Sequence, residues 1–146
     1  MLMRAETPHV GLHPMSREQV ISMLQQYKIT PTRQRIEIAS YLFQCHQHLS
    51  ADKILEGVNE NGARVSRATV YNTMGLFTEK GLVKEVLIDR ERVFYDSNNS
   101  QHHHIYNVET GELTDVKNMV LQGMPELSDG LKVVGTEIII RVASNN

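Results

Sequence analysis

Only one cysteine, Cys45, occurs in the whole chain. No intramolecular disulfide can form, and one sulfur cannot build a thiolate cage for zinc. Cys45 stands near His46 and His48, but it reads as a half-buried cysteine at a helix end rather than as a ligand or redox thiol. No apolar run approaches the ~20 residues that a membrane-spanning helix needs. A secretory h-region is also missing, so the expected location is the cytoplasm, with no membrane partner. No basic tail is present, and the formal net charge is -2. Neither a Ser/His/Asp nucleophile set nor a glycine loop able to cradle phosphates can be picked out. An enzyme is therefore not expected.

What is present is an asymmetry. Residues 1–92 hold 12 Lys+Arg against 10 Asp+Glu, and residues 93–146 hold 3 against 7. The first part suits an anionic partner weakly, and charge alone does not say nucleic acid. Helix signals follow one another closely in that part. Ser16-Arg17-Glu18-Gln19 is a capping box that opens a helix to about Tyr27. Thr30-Pro31 reads as a cap with proline at the first helical position, and the helix it opens ends near Cys45. Ser50 caps a third helix that Asn61-Gly62 breaks, and Ser66 caps a fourth that stops at Gly81. Two strand-like runs follow, Leu82–Ile88 and Arg92–Tyr95, joined by the polar turn Asp89-Arg90-Glu91. Short helices followed by a two-stranded hairpin are the pattern of a winged helix-turn-helix.

The fourth helix has two distinct faces. At about 100° per residue, Val70, Thr73, Met74 and Phe77 fall on the core side. Ala68, Tyr71, Asn72 and Gly75 fall opposite, with Arg67 on the flank. The small residues allow close approach to a partner. Tyr71 offers an aromatic surface to a thymine methyl, Asn72 a bidentate pair to adenine, and Arg67 a reach to phosphate or guanine. An ordinary amphipathic helix with a solvated face has the same pattern. The preceding helices and the hairpin favour double-stranded DNA as the partner.

The run Gln101-His102-His103-His104 marks the change to the acidic last third. Residues two apart share one face of a strand, so His102 and His104 stand side by side as the start of a metal site. Asp96, Asp115 and His48 are available to complete it. His103 points to the other face and reads as structural or exposed, and His46, His9 and His13 as surface residues. Strands are expected over His102–Val108, Leu113–Val116 and Lys132–Ala143, with an ambiguous stretch over 117–130. Met119, Val120, Leu121, Met124 and Leu127 there suggest a short helix, and Gly123 and Pro125 argue against a long one. So little structure does not fold alone, and burying both faces of Ile138-Ile139-Ile140 needs a second subunit. The expected class is α+β: a flexible leader (1–15), a winged-helix DNA-binding domain (16–96), a hinge (97–101) and a small α/β dimerisation lobe (102–146). A distant rival is a cupin-like metalloenzyme, because His102-x-His104-x4-Glu109 matches the first cupin metal motif superficially. A cupin needs a later histidine, and none follows His104.

Four segments in this order resemble the ferric uptake regulator family of metal-sensing bacterial repressors. They are Ile29-Thr30-Pro31-Thr32-Arg33-Gln34-Arg35, His48-Leu49-Ser50-Ala51-Asp52, Ser66-Arg67-Ala68-Thr69-Val70-Tyr71, and His102-His103-His104 with Gly111 and Asp115. The resemblance runs from about Ser16 to Val142. It implies a homodimeric repressor on a pseudo-palindromic operator and a regulatory metal held by His48, Asp96, His102, His104 and Asp115. Three imidazoles and two carboxylates suit Fe²⁺ or Mn²⁺, and also take Zn²⁺ in vitro. The set looks like that of the peroxide-sensing branch, in which the imidazoles at the positions of His48 and His102 are the oxidation-sensitive ones. The family's first C-x-x-C pair falls here at Asn107 and Thr110, so its structural zinc is expected to be absent. Gln101 is a poor ligand, so the family's accessory metal site is expected to be lost too. The iron response regulators share the missing cysteines and the H-H-H run, which keeps an iron- or haem-responsive regulator as the alternative. The Cys-Pro haem motif of that group does not occur here.

Overall fold

The computed structural model describes residues 14–145, which divide between Ser100 and Gln101 into two compact units. The expected leader lies almost wholly outside the described residues.

Four helices build the first unit: α1 (Arg17–Gln26), α2 (Arg33–Leu42), α3 (Ala51–Glu60) and α4 (Arg67–Glu79). Each is opened by a hydroxyl residue with extended backbone, namely Ser16, Thr32, Ser50 and Ser66. Each hydroxyl accepts a backbone N–H three residues on, satisfying one of the helix's orphan donors. At α1 the capping box closes both ways, because Gln19 Oε1 accepts from Ser16 N at 2.8 Å. The cap of α2 is Thr32, not Thr30, and Pro31 precedes the helix. Thr32 Oγ1 reaches the Arg35 amide at 3.3 Å, and a residue before proline is pushed out of the helical region. Gly81, at φ +78°, ends α4 in a left-handed turn that lets Leu82 N donate to Phe77 O at 2.9 Å.

The helices bury one contiguous core, with Leu24, Ile38, Leu42, Ile54, Met74 and Phe77 almost fully enclosed. Gly57 permits the approach of α3 to α2, because a Cβ there would lie 2.0 Å from Tyr41 Cζ. Three short strands complete the unit: β1 (His48–Leu49), β2 (Lys84–Leu87) and β3 (Val93–Asp96), in the order β1-β3-β2. The hairpin β2–β3 is the expected wing. Strand β1 was not legible, since two residues carry no periodicity. It sets His48 opposite Asp96.

The second unit is a sheet of β4 (His103–Asn107), β5 (Leu113–Val116) and β6 (Ile139–Val142), in the order β5-β4-β6. The β4–β5 pair is antiparallel with His104 opposite Asp115, and β6 runs parallel to β4 with Ile139 beside His104. The β4–β5 turn is held by Asn107, whose Oδ1 accepts from the amides of Glu109 (2.9 Å) and Thr110 (3.1 Å). Two expectations for the last third need correction. Residues 117–138 contain no helix, and the final strand begins only at Ile139 rather than Lys132. Asn118, Gly123 and Gly130 all adopt positive φ and Pro125 lies between them, so no run long enough to sustain a helix is left. Val120, Leu131 and Val134 in this stretch are exposed.

Candidate metal centre and DNA-reading face

The sequence-predicted ligands form a pair in the first unit and a trio in the second. In the first unit, His48 Nε2 stands 3.0 Å from Asp96 Oδ2, and the carboxylate is almost completely buried. The Asn98 amide donates to Asp96 Oδ1 at 2.8 Å, which orients the carboxylate toward His48. In the second unit, β4 and β5 place the imidazoles of His102 and His104 against one acid. Asp115 Oδ1 is 3.0 Å from His102 Nε2 and 3.4 Å from His104 Nε2. The two rings meet edge to face, with centroids 4.5 Å apart, and both are buried.

These spacings fit a metal. Neighbouring ligands on an octahedral ion with bonds of about 2.1 Å lie about 3.0 Å apart, and on a tetrahedral ion about 3.4 Å. The trio converges through Nε2, Nε2 and Oδ1, all able to present lone pairs to one point. The imidazole and carboxylate donors suit Fe²⁺, Mn²⁺ or Zn²⁺.

Other residues of the histidine run have local partners. His103 Nδ1 accepts from Ile138 N at 3.0 Å, so the structural reading of His103 holds. Gln101 Nε2 donates to Thr136 O. Glu137 was not singled out from the sequence, yet its Oε1 lies 3.7 Å from His104 Nδ1. Nothing in the local sequence marks it, because Glu137 lies 33 positions beyond His104 in the chain.

On α4, Val70, Thr73, Met74 and Phe77 are buried, and Arg67, Ala68, Tyr71, Asn72 and Gly75 are exposed, as the helical spacing predicts. Tyr71 is half exposed and borders a hollow of 340 Å³ beside Asp52, Arg90 and Arg92. Asn72 lines a polar groove of 430 Å³ with Thr69 on α4 and Gln34 and Arg35 on α2. Gln34 and Arg35 are therefore neighbours of the exposed face of α4 that the helix-by-helix reading missed. The Arg67 guanidinium pairs with Asp52, and both side chains are well exposed. An exposed pair of this kind is worth about 0–1 kcal/mol, so a phosphate can compete for the arginine. Among the described residues, no helix is long and apolar enough to cross a membrane.

A sequence model of the Ferric uptake regulator family matches residues 24–140. The chain belongs to the ferric uptake regulator family. That is a family of transcription regulators, not of enzymes, which removes the cupin-like alternative. Over 98 residues the chain is 34% identical to a peroxide-responsive repressor of Staphylococcus aureus, covering 67% of this chain. The match spans 66% of that relative's length. The fold resembles the ferric uptake regulator of Pseudomonas aeruginosa, whose structure contains manganese, with a TM-score of 0.67 and 22% identity over 90% of this chain and 100% of that one. It also resembles the Vibrio cholerae ferric uptake regulator, with a TM-score of 0.66 and 18% identity over 85% and 98%. These two likenesses establish the winged-helix-plus-second-lobe fold.

Proposed function

We propose that this protein is a metal-dependent, homodimeric transcriptional repressor that binds a pseudo-palindromic DNA operator in the cytoplasm. In this reading a single Fe²⁺ or Mn²⁺ is held by His48, Asp96, His102, His104 and Asp115. The observation that carries it is the convergence of His102 Nε2 and His104 Nε2 on Asp115 Oδ1, in a chain of this family. Arg67, Tyr71 and Asn72 read the operator from the exposed face of α4. Taking ligands from both units lets the metal favour the DNA-binding arrangement, and DNA then tightens metal binding by the same factor.

The finer reading is a peroxide response, supported by the likeness to the Staphylococcus aureus repressor and by the three-His, two-Asp donor set. Bound Fe²⁺ supplies one-electron chemistry with peroxide, which Mn²⁺ does not readily perform. Held by these five residues, Fe²⁺ would supply that chemistry next to the ligand imidazoles. By the family resemblance, His48 and His102 would be the imidazoles that are oxidised.

DNA binding by metal-free, Mn²⁺-loaded and Fe²⁺-loaded protein, with and without peroxide, tests both levels. Metal is expected to raise operator affinity. Peroxide is expected to abolish binding by the Fe²⁺ form alone, with oxygen mass gained on His48 or His102. The double variant His102→Ala/His104→Ala should lose metal uptake and operator affinity together. Metal-dependent DNA binding that survives in this variant sinks the five-ligand reading. Intact histidines and retained binding after peroxide move the signal to iron or haem, which the H-H-H run also suits.

A further inference from the structure

The His104 ring is fully buried and sits between two carboxylates. Its Nε2 lies 3.4 Å from Asp115 Oδ1, on the side where His102 Nε2 also points. Its Nδ1 lies 3.7 Å from Glu137 Oε1. Glu137 is held there by the backbone on both sides of it. Thr136 O accepts from Gln101 Nε2, Ile138 N donates to His103 Nδ1 at 3.0 Å, and His104 N donates to Ile138 O at 3.0 Å. The parallel register of Ile139 beside His104 continues the same attachment.

A neutral imidazole carries one N–H and one lone pair, and only the lone pair can bind a metal. A proton on Nε2 would face Asp115 and close that nitrogen to the ion. A proton on Nδ1 leaves Nε2 open. Which state prevails is set by the hydrogen bond available to the other nitrogen. We propose that Glu137 is a positioning residue for His104: its carboxylate accepts the Nδ1–H and so presents the Nε2 lone pair to the metal. Glu137 is not a sixth ligand, because it meets the ring at Nδ1 while Asp115 meets it at Nε2. The separation is about 0.8 Å longer than an ordinary N–H···O bond. The Glu137 side chain is 33% exposed, and the proposal requires it to close that gap when the metal binds. This inference rests on the metal reading given above.

The test uses the full-length protein, labelled with ¹⁵N-histidine for nuclear magnetic resonance with Zn²⁺, and titrated with Mn²⁺ for affinity. In the wild type the metal is expected on His104 Nε2, with a slowly exchanging proton on Nδ1. Glu137→Ala should lose that protected proton and bind Mn²⁺ about 10–100-fold more weakly. Glu137→Gln keeps a carbonyl acceptor, so it should retain the proton signal and recover part of the affinity. Should the alanine variant not fold, the wild-type and glutamine spectra still decide the matter. Metal bound at Nδ1 overturns the proposal, as does a Glu137→Ala protein with wild-type Mn²⁺ affinity. Weaker binding with the protected proton still present overturns it too, because that would mean a structural role only. A wild-type chain that takes up neither ion overturns the metal reading and this inference together, whereas wild-type uptake with an indifferent Glu137 overturns this inference alone.

Discussion

The two units bury different things. Of the 22 buried apolar residues among those described, only Tyr106, Leu113 and Val116 belong to the second unit. That unit instead buries His102, His103 and His104, and leaves Val120, Leu131 and Val134 in solvent. The first unit is held as an ordinary domain is, by apolar area removed from water around capped helices. The second is held by ladder hydrogen bonds and by imidazoles matched to carboxylates. Polar groups taken out of water cost free energy unless partners compensate them. The first unit is therefore built around an apolar core, and the second around an acid–imidazole cluster with an apolar stretch left uncovered.

The largest effect that sharpens this contrast is expected in the first core. Phe77→Ala removes a fully buried ring and should cost about 3–5 kcal/mol in denaturant unfolding. Val134→Ser should change monomer stability by no more than about 0.5 kcal/mol. Equal losses for the two would mean that the second unit has a core of its own. Next comes Gly57→Ala, whose methyl would meet the Tyr41 ring and force it outward. The expected cost is about 1–3 kcal/mol by the same measurement, and a neutral result would show that Tyr41 does not hold α2 to α3. At the reading face, Asn72→Ala should lose about 1–3 kcal/mol at one operator base pair and relax the preference there. A uniform loss across all sequences would assign Asn72 to phosphate contact.

The smallest effect concerns how the second unit ties down its C-terminal end. Glu109 accepts from the Ser144 hydroxyl and from Ser144 N at 3.0 Å, and these bonds lower its carboxyl from the ordinary glutamate value. A folded pKa below the unfolded one means that the contribution is present above the unfolded value. It is lost as pH falls through the lowered folded value. The protection factor of the Ser144 amide should therefore be higher near neutrality than in acid, with Glu109→Gln flattening the profile. A pH-independent protection factor, after correction for intrinsic exchange, would remove Glu109 from this role.

Much of the first unit was legible because its signals are local. A hydroxyl cap acts three residues away, and the core face of α4 follows from a 3.6-residue period. Even there, Thr30-Pro31 misled by two residues, since Thr32 reaches the Arg35 amide better placed to start the helix. The second unit was less legible. Met119, Val120, Leu121, Met124 and Leu127 mimic a helical stripe, but the positive-φ residues around them break the backbone. The Asn107 turn shows what stands at the family's first cysteine pair, where a side-chain amide holds the backbone locally.

The sequence by itself determined three of the four helix starts, the two faces of α4, the exclusion of an intramolecular disulfide or a thiolate zinc cage, and the identity of the candidate donors. Each depends on residue type and on spacings of a few residues. Only the tertiary structure decided that β1 lays His48 against Asp96, that β5 brings Asp115 to both imidazoles, and that the segment leading into β6 carries Glu137 to the far side of His104. Those meetings are made by strand pairing between segments 11 to 48 residues apart in the chain. A backbone ladder sets such register through hydrogen bonds and packing that no local pattern encodes.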